Sequence, residues 1–214
     1  ADIFGIEEIS GDGSAYGADD DQRQAFQFGA VPPDEPFVIH GEITNGFSGE
    51  VPPEYWNYGI FLGDGTQANY TKLVIGSDGG TGGEIEYVVE DENTPVGTQI
   101  PEDGVIGNTV DLYVTVDPTT DPVSVTYEYA IDGGDRIEAG TETIPSSWVS
   151  GDSMAVGVMP TATGASGTYS ANYNELEVEL VREASGTDPE ASVAITPNSG
   201  VDASTWSTDA YQLE

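Results

Sequence analysis

Residues 110–131 read VDLYVTVDPTTDPVSVTYEYAI, and this stretch decides the fold class. Val110, Leu112, Val114 and Val116 alternate with Asp111, Tyr113, Thr115 and Asp117. The pattern resumes with Val123, Val125, Tyr127, Tyr129 and Ile131 against polar partners. A two-residue period places one set of side chains on each face of a strand. Asp132-Gly133-Gly134-Asp135 then supplies turn chemistry that closes a hairpin.

The same period extends outward in both directions. In 37–43, Phe37, Ile39 and Ile43 share a face and His40 and Glu42 share the other. Strands are expected at 58–62 and 69–75, parted by Gly63-Asp64-Gly65, and at 84–90, where Ile85, Tyr87 and Val89 point inward and Glu84, Glu86 and Glu90 outward. Met154, Val156 and Val158 form another. Leu176, Val178 and Leu180, alternating with Glu175, Glu177 and Glu179, form the last. No segment keeps a 3.6-residue period over several turns. Many short strands with polar outer faces predict an all-β protein, an antiparallel β-sandwich.

Charge narrows the setting. Asp and Glu number 39 against 4 Lys and Arg (Arg23, Lys72, Arg136 and Arg182), a formal net charge of -35. Such a surface repels itself at ordinary salt. In molar salt the Debye length falls to about 3 Å and screens most of that repulsion. The composition therefore fits a halophile's protein, and the Gly, Thr, Ser and Pro-rich β sequence suggests one found outside the cell or on the cell surface. Disorder is the other reading of high charge, but a 37% hydrophobic content in strand-like alternation supplies a core. Without a basic stripe there is nothing to neutralise phosphates, so nucleic acid is excluded as a partner. No apolar run has the length of a membrane span, so no membrane insertion is expected. Cysteine is absent, which removes disulfides and thiolate chemistry.

Residues 1–182 are expected to form the sandwich and 183–190 (EASGTDPE) a linker. Residues 191–214, with the strand-like Val193-Ala194-Ile195, are too few to bury a core of their own. This extension packs back on the sandwich, begins a further β module, or adds a strand to a neighbouring molecule.

The order of motifs across 36–180 resembles a module of the concanavalin A-like lectin/glucanase superfamily found in large secreted haloarchaeal and bacterial proteins. The resemblance is carried by PFVIHGEI (36–43), YGIFLGDGTQANYTKLVIG (58–76), GEIEYVVEDE (83–92), residues 107–134, SSWVSGDSMAVGVMPTATG (146–164) and NELEVEL (174–180). It implies a jelly roll that is often glycan-binding or adhesive, sometimes hydrolytic, and frequently stabilised by calcium.

Three chemistries follow. Sugar binding stacks an aromatic face on the pyranose ring while acids or amides bond its hydroxyls. The Pro-initiated stretch PPEYWNY offers Glu54, Tyr55, Trp56, Asn57 and Tyr58, with Trp148 and Tyr113 as further candidates. For calcium, which takes six to eight oxygens, the acid-rich loops are Asp19-Asp20-Asp21, Glu90-Asp91-Glu92-Asn93, and Asp117 with Asp121, with Asp19, Asp21, Glu90, Asp91, Asp117 and Asp121 as the candidate ligands. None has EF-hand spacing. For hydrolysis, the laminarinase branch carries E-x-D-x-x-E, and Glu84, Glu86 and Glu90 are the nearest match. The middle acid is Glu, however, and the last is displaced along the strand. An undistorted strand does not give the roughly 5–5.5 Å pair of a retaining enzyme, and no catalytic residue is assigned. His40, the single histidine, has no G-x-S-x-G elbow to serve and reads as a polar-face strand residue. Asn69-Tyr70-Thr71 is a glycosylation sequon in a turn position.

The expected function is a non-catalytic carbohydrate-binding or adhesion module whose partner is a polysaccharide or surface glycan. The alternative is a self-assembling surface or filament subunit that uses 191–214, and a glycoside hydrolase is third.

Overall fold

The structure is a computed structural model, and it describes residues 4–10, 13–52, 55–77, 79, 82–162, 168–181 and 193–194. Two antiparallel sheets face each other. The seven-stranded sheet runs β1 (Phe4–Ser10), β12 (Thr168–Leu180), β3 (Phe37–Ile43), β8 (Val110–Asp117), β9 (Val123–Ile131) and β10 (Ile137–Ile144), with β13 (Val193–Ala194) also paired to β12. The six-stranded sheet runs β2 (Phe26–Ala30), β11 (Met154–Ala162), β4 (Trp56–Gly63), β5 (Tyr70–Ser77), β6 (Gly83–Asp91) and β7 (Thr94–Pro101). The described residues contain no α-helix, only three short 3-10 turns. The all-β antiparallel sandwich read from the alternation is the observed fold; β13 is the described part of the expected extension 191–214, the rest of which lies, with the linker 183–190, outside the described residues.

The inward sets predicted from the period form the core. Phe37, Ile39, Ile43, Val110, Leu112, Val114 and Val116 from one sheet meet Ile60, Leu62, Leu73, Ile75 and Ile85 from the other. Each such side chain, removed from water, contributes roughly 1.5–3 kcal/mol. The sheets approach so closely that a Cβ on Gly41 would overlap Ile60. Tyr87 of β6 stacks on Tyr127 of β9 at 4.6 Å, and the Tyr127 and Thr71 hydroxyls are bonded at 2.6 Å. These contacts tie the two sheets together through polar groups that burial would otherwise penalise.

Four strands lie outside the predicted set: β1, β2, β7 and β10. All four stand at the ends of the two sheet orders. β7 carries Pro95 and Pro101 and is exposed along most of its length, as an edge strand tolerates. β12 also starts at Thr168, earlier than the alternation of 174–180 suggested.

Candidate functional site

The phase of β4 decides the fate of the aromatic loop. Ile60 and Leu62 point into the sandwich, so a two-residue period carries Tyr58 and Trp56 inward as well. Trp56 is 7% exposed and Tyr58 0%. Trp56 stacks on Tyr169 at 4.3 Å, and Tyr58 meets Phe47 edge-on at 5.0 Å. The Phe47 N–H donates to the Tyr58 hydroxyl at 2.8 Å, and burial pushes that phenol up to about 12. The expected platform of Trp56 and Tyr58 is therefore corrected: both are core. Trp148 is buried too. Tyr55 keeps the expected exposure, at 59%, and Glu54 lies outside the described residues. Tyr113, on the outer face of β8, is stacked on His40 at 4.6 Å and covered by the Arg136 guanidinium at 3.6 Å.

Asn57, one residue out of phase with Trp56 and Tyr58, faces away from the core onto the outer face of the six-stranded sheet. Register places Asn57 beside Gly76 and Gly76 beside Glu84, with Val74, Glu86 and Gln99 in the next row and Lys72 in the one after. The polar groups are cross-bonded. Lys72 Nζ donates to Glu86 Oε2 at 2.9 Å, Asn57 Nδ2 donates to the same oxygen at 3.1 Å, and Gln99 Nε2 donates to Glu84 Oε1 at 3.2 Å. Gly76 leaves room for Glu84, whose carboxyl would crowd a Cβ there at 2.9 Å. Asn57 Oδ1 is buried and accepts no hydrogen bond. Tyr55 stands at the rim, its ring 3.2 Å from where a Cβ on Gly79 would lie.

Glu84, Glu86 and Glu90 do point away from the core, as the period required. They are nonetheless buried rather than solvated, which corrects the expectation of an exposed acid face. One cause is visible in the segment 13–25, which crosses this face. Its Ala15 and Ala25 pack on Phe61, Tyr70 and Met159, its Gln22 side chain donates to the Pro160 carbonyl, and Thr161 donates to the Gly13 carbonyl. Nothing in the acid-rich stretch 18–24 announces that docking. As a hydrolytic pair the acids are poorly placed. Glu86 is held by Lys72, and Glu90 lies four residues along the strand, about 13 Å by strand rise.

The acidic loops divide. Asp117 builds its own turn, accepting from the Thr119 N–H at 3.0 Å, and Asp121 is exposed. Asp21 caps the Ser14 N–H at 2.8 Å, while Asp19 and Asp91 are exposed. The structure does bring the 17–21 turn against the β6–β7 turn, but Asp20 and Asn93 are the residues that meet there. Asn69 lies in the turn before β5 as expected. Its amide donates to Asp64 at 2.8 Å and accepts from the Glu92 N–H at 2.9 Å.

On the opposite sheet, His40 is half-buried and bonded through Nε2 to Asp111 at 2.9 Å, the polar-face role expected of it. Glu175 and Glu177 bring ligating atoms within 4.8 Å of those of His40. This trio was not read from the sequence because it depends on the register between β3 and β12.

No family model matches the sequence, and no curated protein matches it. The fold is similar to a functionally unknown protein from Saccharomyces cerevisiae (TM-score 0.62, 13% identity, covering 85% of this chain and 89% of that one). It is also similar to the GH43 protein BlXynB from Bacillus licheniformis (TM-score 0.58, 14% identity), where 80% of this chain spans 31% of the other. A third similar structure is the CBM2 module of the evolved Dit of Lactobacillus casei BL23 phage J-1 (TM-score 0.50, 14% identity, covering 76% and 74% of the two chains). At these identities the likeness establishes the sandwich fold.

Proposed function

We propose that this chain is a non-catalytic carbohydrate-binding module that takes its glycan on the outer face of the six-stranded sheet, beside Tyr55. The observation that carries the reading is the fixed polar strip of Asn57, Glu84, Glu86 and Gln99. Sugar hydroxyls both donate and accept, and carboxylates and amides held by neighbours are the groups that bond them without an ordering cost. Tyr55 offers a ring face at the rim. A GH43 protein and a phage CBM2 module share the fold, which agrees with the reading. The acid excess suits display in brine on a halophile's surface.

The test is retention on a panel of immobilised polysaccharides in multimolar KCl. The chain should be retarded by one of them, and Asn57→Ala and Tyr55→Ala should each weaken retention by about tenfold, the value of one hydrogen bond or one stacking contact. Release of reducing sugar that Glu86→Gln abolishes would instead make the chain a hydrolase. Retention unchanged in both variants would move the site elsewhere.

A further inference from the structure

The turn where segment 13–25 meets the β6–β7 connection holds a set of oxygens that face one another. Glu90, near the end of β6, is 0% exposed. Its Oε2 accepts from the Tyr70 hydroxyl at 3.1 Å. Its Oε1 accepts no hydrogen bond, although the Gly17 N–H turns toward the carboxylate. Asp20 lies close enough for its charge to act on the Glu90 carboxylate. In the β6–β7 turn, the side-chain oxygen of Asn93 lies 3.3 Å from the Gly17 carbonyl oxygen and 3.2 Å from Asp20 Oδ1. These separations match the edge of a coordination shell with metal–oxygen distances of about 2.3–2.6 Å.

Turning the Asn93 amide over would let its NH2 donate to Gly17 and Asp20. That rotation leaves the bare oxygen of Glu90 as it was. It also leaves two carboxylates together, and Lys72, which lies near Glu90, is already bonded to Glu86. A buried carboxylate oxygen short of donors is costly, and a cation there would relieve it together with the meeting of the Asn93, Gly17 and Asp20 oxygens.

We infer that the Gly17 carbonyl, Asp20, Glu90 and Asn93 form a calcium site that clamps the N-terminal segment onto the outer face of the six-stranded sheet. Two carboxylates, an amide oxygen and a backbone carbonyl are the hard oxygen set that Ca2+ takes, with water completing six to eight ligands. The charge of the pair favours a divalent ion over the sodium or potassium of brine. Mg2+ is the poorer fit, because it demands near-octahedral geometry and dehydrates reluctantly.

The experiment is thermal unfolding of the full chain in multimolar KCl, with EGTA or with added CaCl2, for the wild type, Asp20→Asn and Glu90→Gln. Wild type should gain about 5–10 °C when Ca2+ is about a hundred times its Kd. Both variants should lose that gain. In EGTA, Glu90→Gln should melt no lower than wild type, because it removes an unpaired buried charge, and this shows that the variant folds. Calcium should also slow proteolysis within 13–25 in the wild type alone. A wild type that melts identically in EGTA and CaCl2 overturns the site. So does a full calcium shift in both variants, which would place the ion elsewhere on the acidic surface.

Discussion

The outer faces of the two sheets obey different rules. On the seven-stranded sheet, β8 and β9 alternate between buried and half-exposed residues along nearly their whole length. Their outward side chains, Asp111, Thr115, Thr126 and Glu128 among them, meet solvent. On the six-stranded sheet, β5, β11 and all but the last residue of β6 are buried at every position. One face there packs in the sandwich, and on the other segment 13–25 covers Phe61, Tyr70 and Met159. The lesson concerns what alternation means. Where one face is wet, the apolar residues mark the core and the polar ones mark solvent. Where both faces are covered, the strand reads as a more continuous apolar run, and a polar residue within it marks an internal contact.

The sharpest way to break this contrast is to truncate one residue on each outer face. Phe61 points away from the sandwich core yet is buried beside Ala15, Ala25, Tyr70 and Met159. Phe61→Ala should cost about 3–5 kcal/mol, as for an interior phenylalanine. Thr126→Val, on the solvent side of β9, should stay within about 0.5 kcal/mol. Denaturant titrations in multimolar KCl measure both. If the two costs prove equal and small, the outer face of the six-stranded sheet is not a second core.

Charge pairs give the next largest difference. Lys72 and Glu86 are bonded at 2.9 Å and both buried, whereas Arg136 lies 3.9 Å from Glu128 on the open face. Lys72→Met leaves the Glu86 carboxylate buried without its cation and should cost about 3 kcal/mol. Arg136→Met should cost under about 1 kcal/mol, counting its contact with Tyr113. The double variant Lys72→Met/Glu86→Leu should recover the loss, because an apolar pair of similar size often matches a buried ion pair. Failure to recover would mean that the pair has a role beyond packing, which the glycan proposal requires of Glu86.

The same contrast explains what could be read from the chain in advance. The central strands were legible because alternation of Val, Ile, Leu and Tyr over seven or more residues has no competing reading. The edge strands β2, β7 and β10 were not, since an edge presents little buried face to pattern. At the candidate site, the inward burial of Trp56 and Tyr58 was available: extending the phase of Ile60 and Leu62 back by four residues gives it, and sends Asn57 outward. A loop reading of PPEYWNY overrode that phase. The docking of 13–25 had no local signal. Its contacts with Phe61, Met159 and the β6–β7 turn join residues far apart in sequence, and the acids of 18–21 look the same on a solvated surface as at a packed turn. For that reason the oxygens that converge are those of Asp20 and Asn93 rather than those of Asp19, Asp21 and Asp91.

The smallest effect lies on the wet face and concerns pH. Glu175, Glu177 and Glu179 project from β12 on one side, with His40 across the β3 ladder and Asp111 beyond it. The Glu177 carboxyl is pushed up to about 7, chiefly because it shares a hydrogen bond with Glu175, with burial and Glu179 adding to the shift. A carboxyl whose value is raised on folding is protonated more readily in the folded chain than in the unfolded one. Its stabilising contribution is therefore complete below the unfolded value and lost as pH rises through about 7. Between pH 8 and pH 5 this cluster should make the protein more stable as acid is added. Because the group is partly exposed and the medium salty, the gain should stay below about 1 kcal/mol. Glu177→Gln should flatten that slope, whereas Glu128→Gln, on the same face but outside the cluster, should leave it intact. Melting temperatures across the pH range, in constant salt, would show the difference. A slope that survives Glu177→Gln would mean that the wet face carries its acids independently, without the crowding that the register of β3 and β12 imposes.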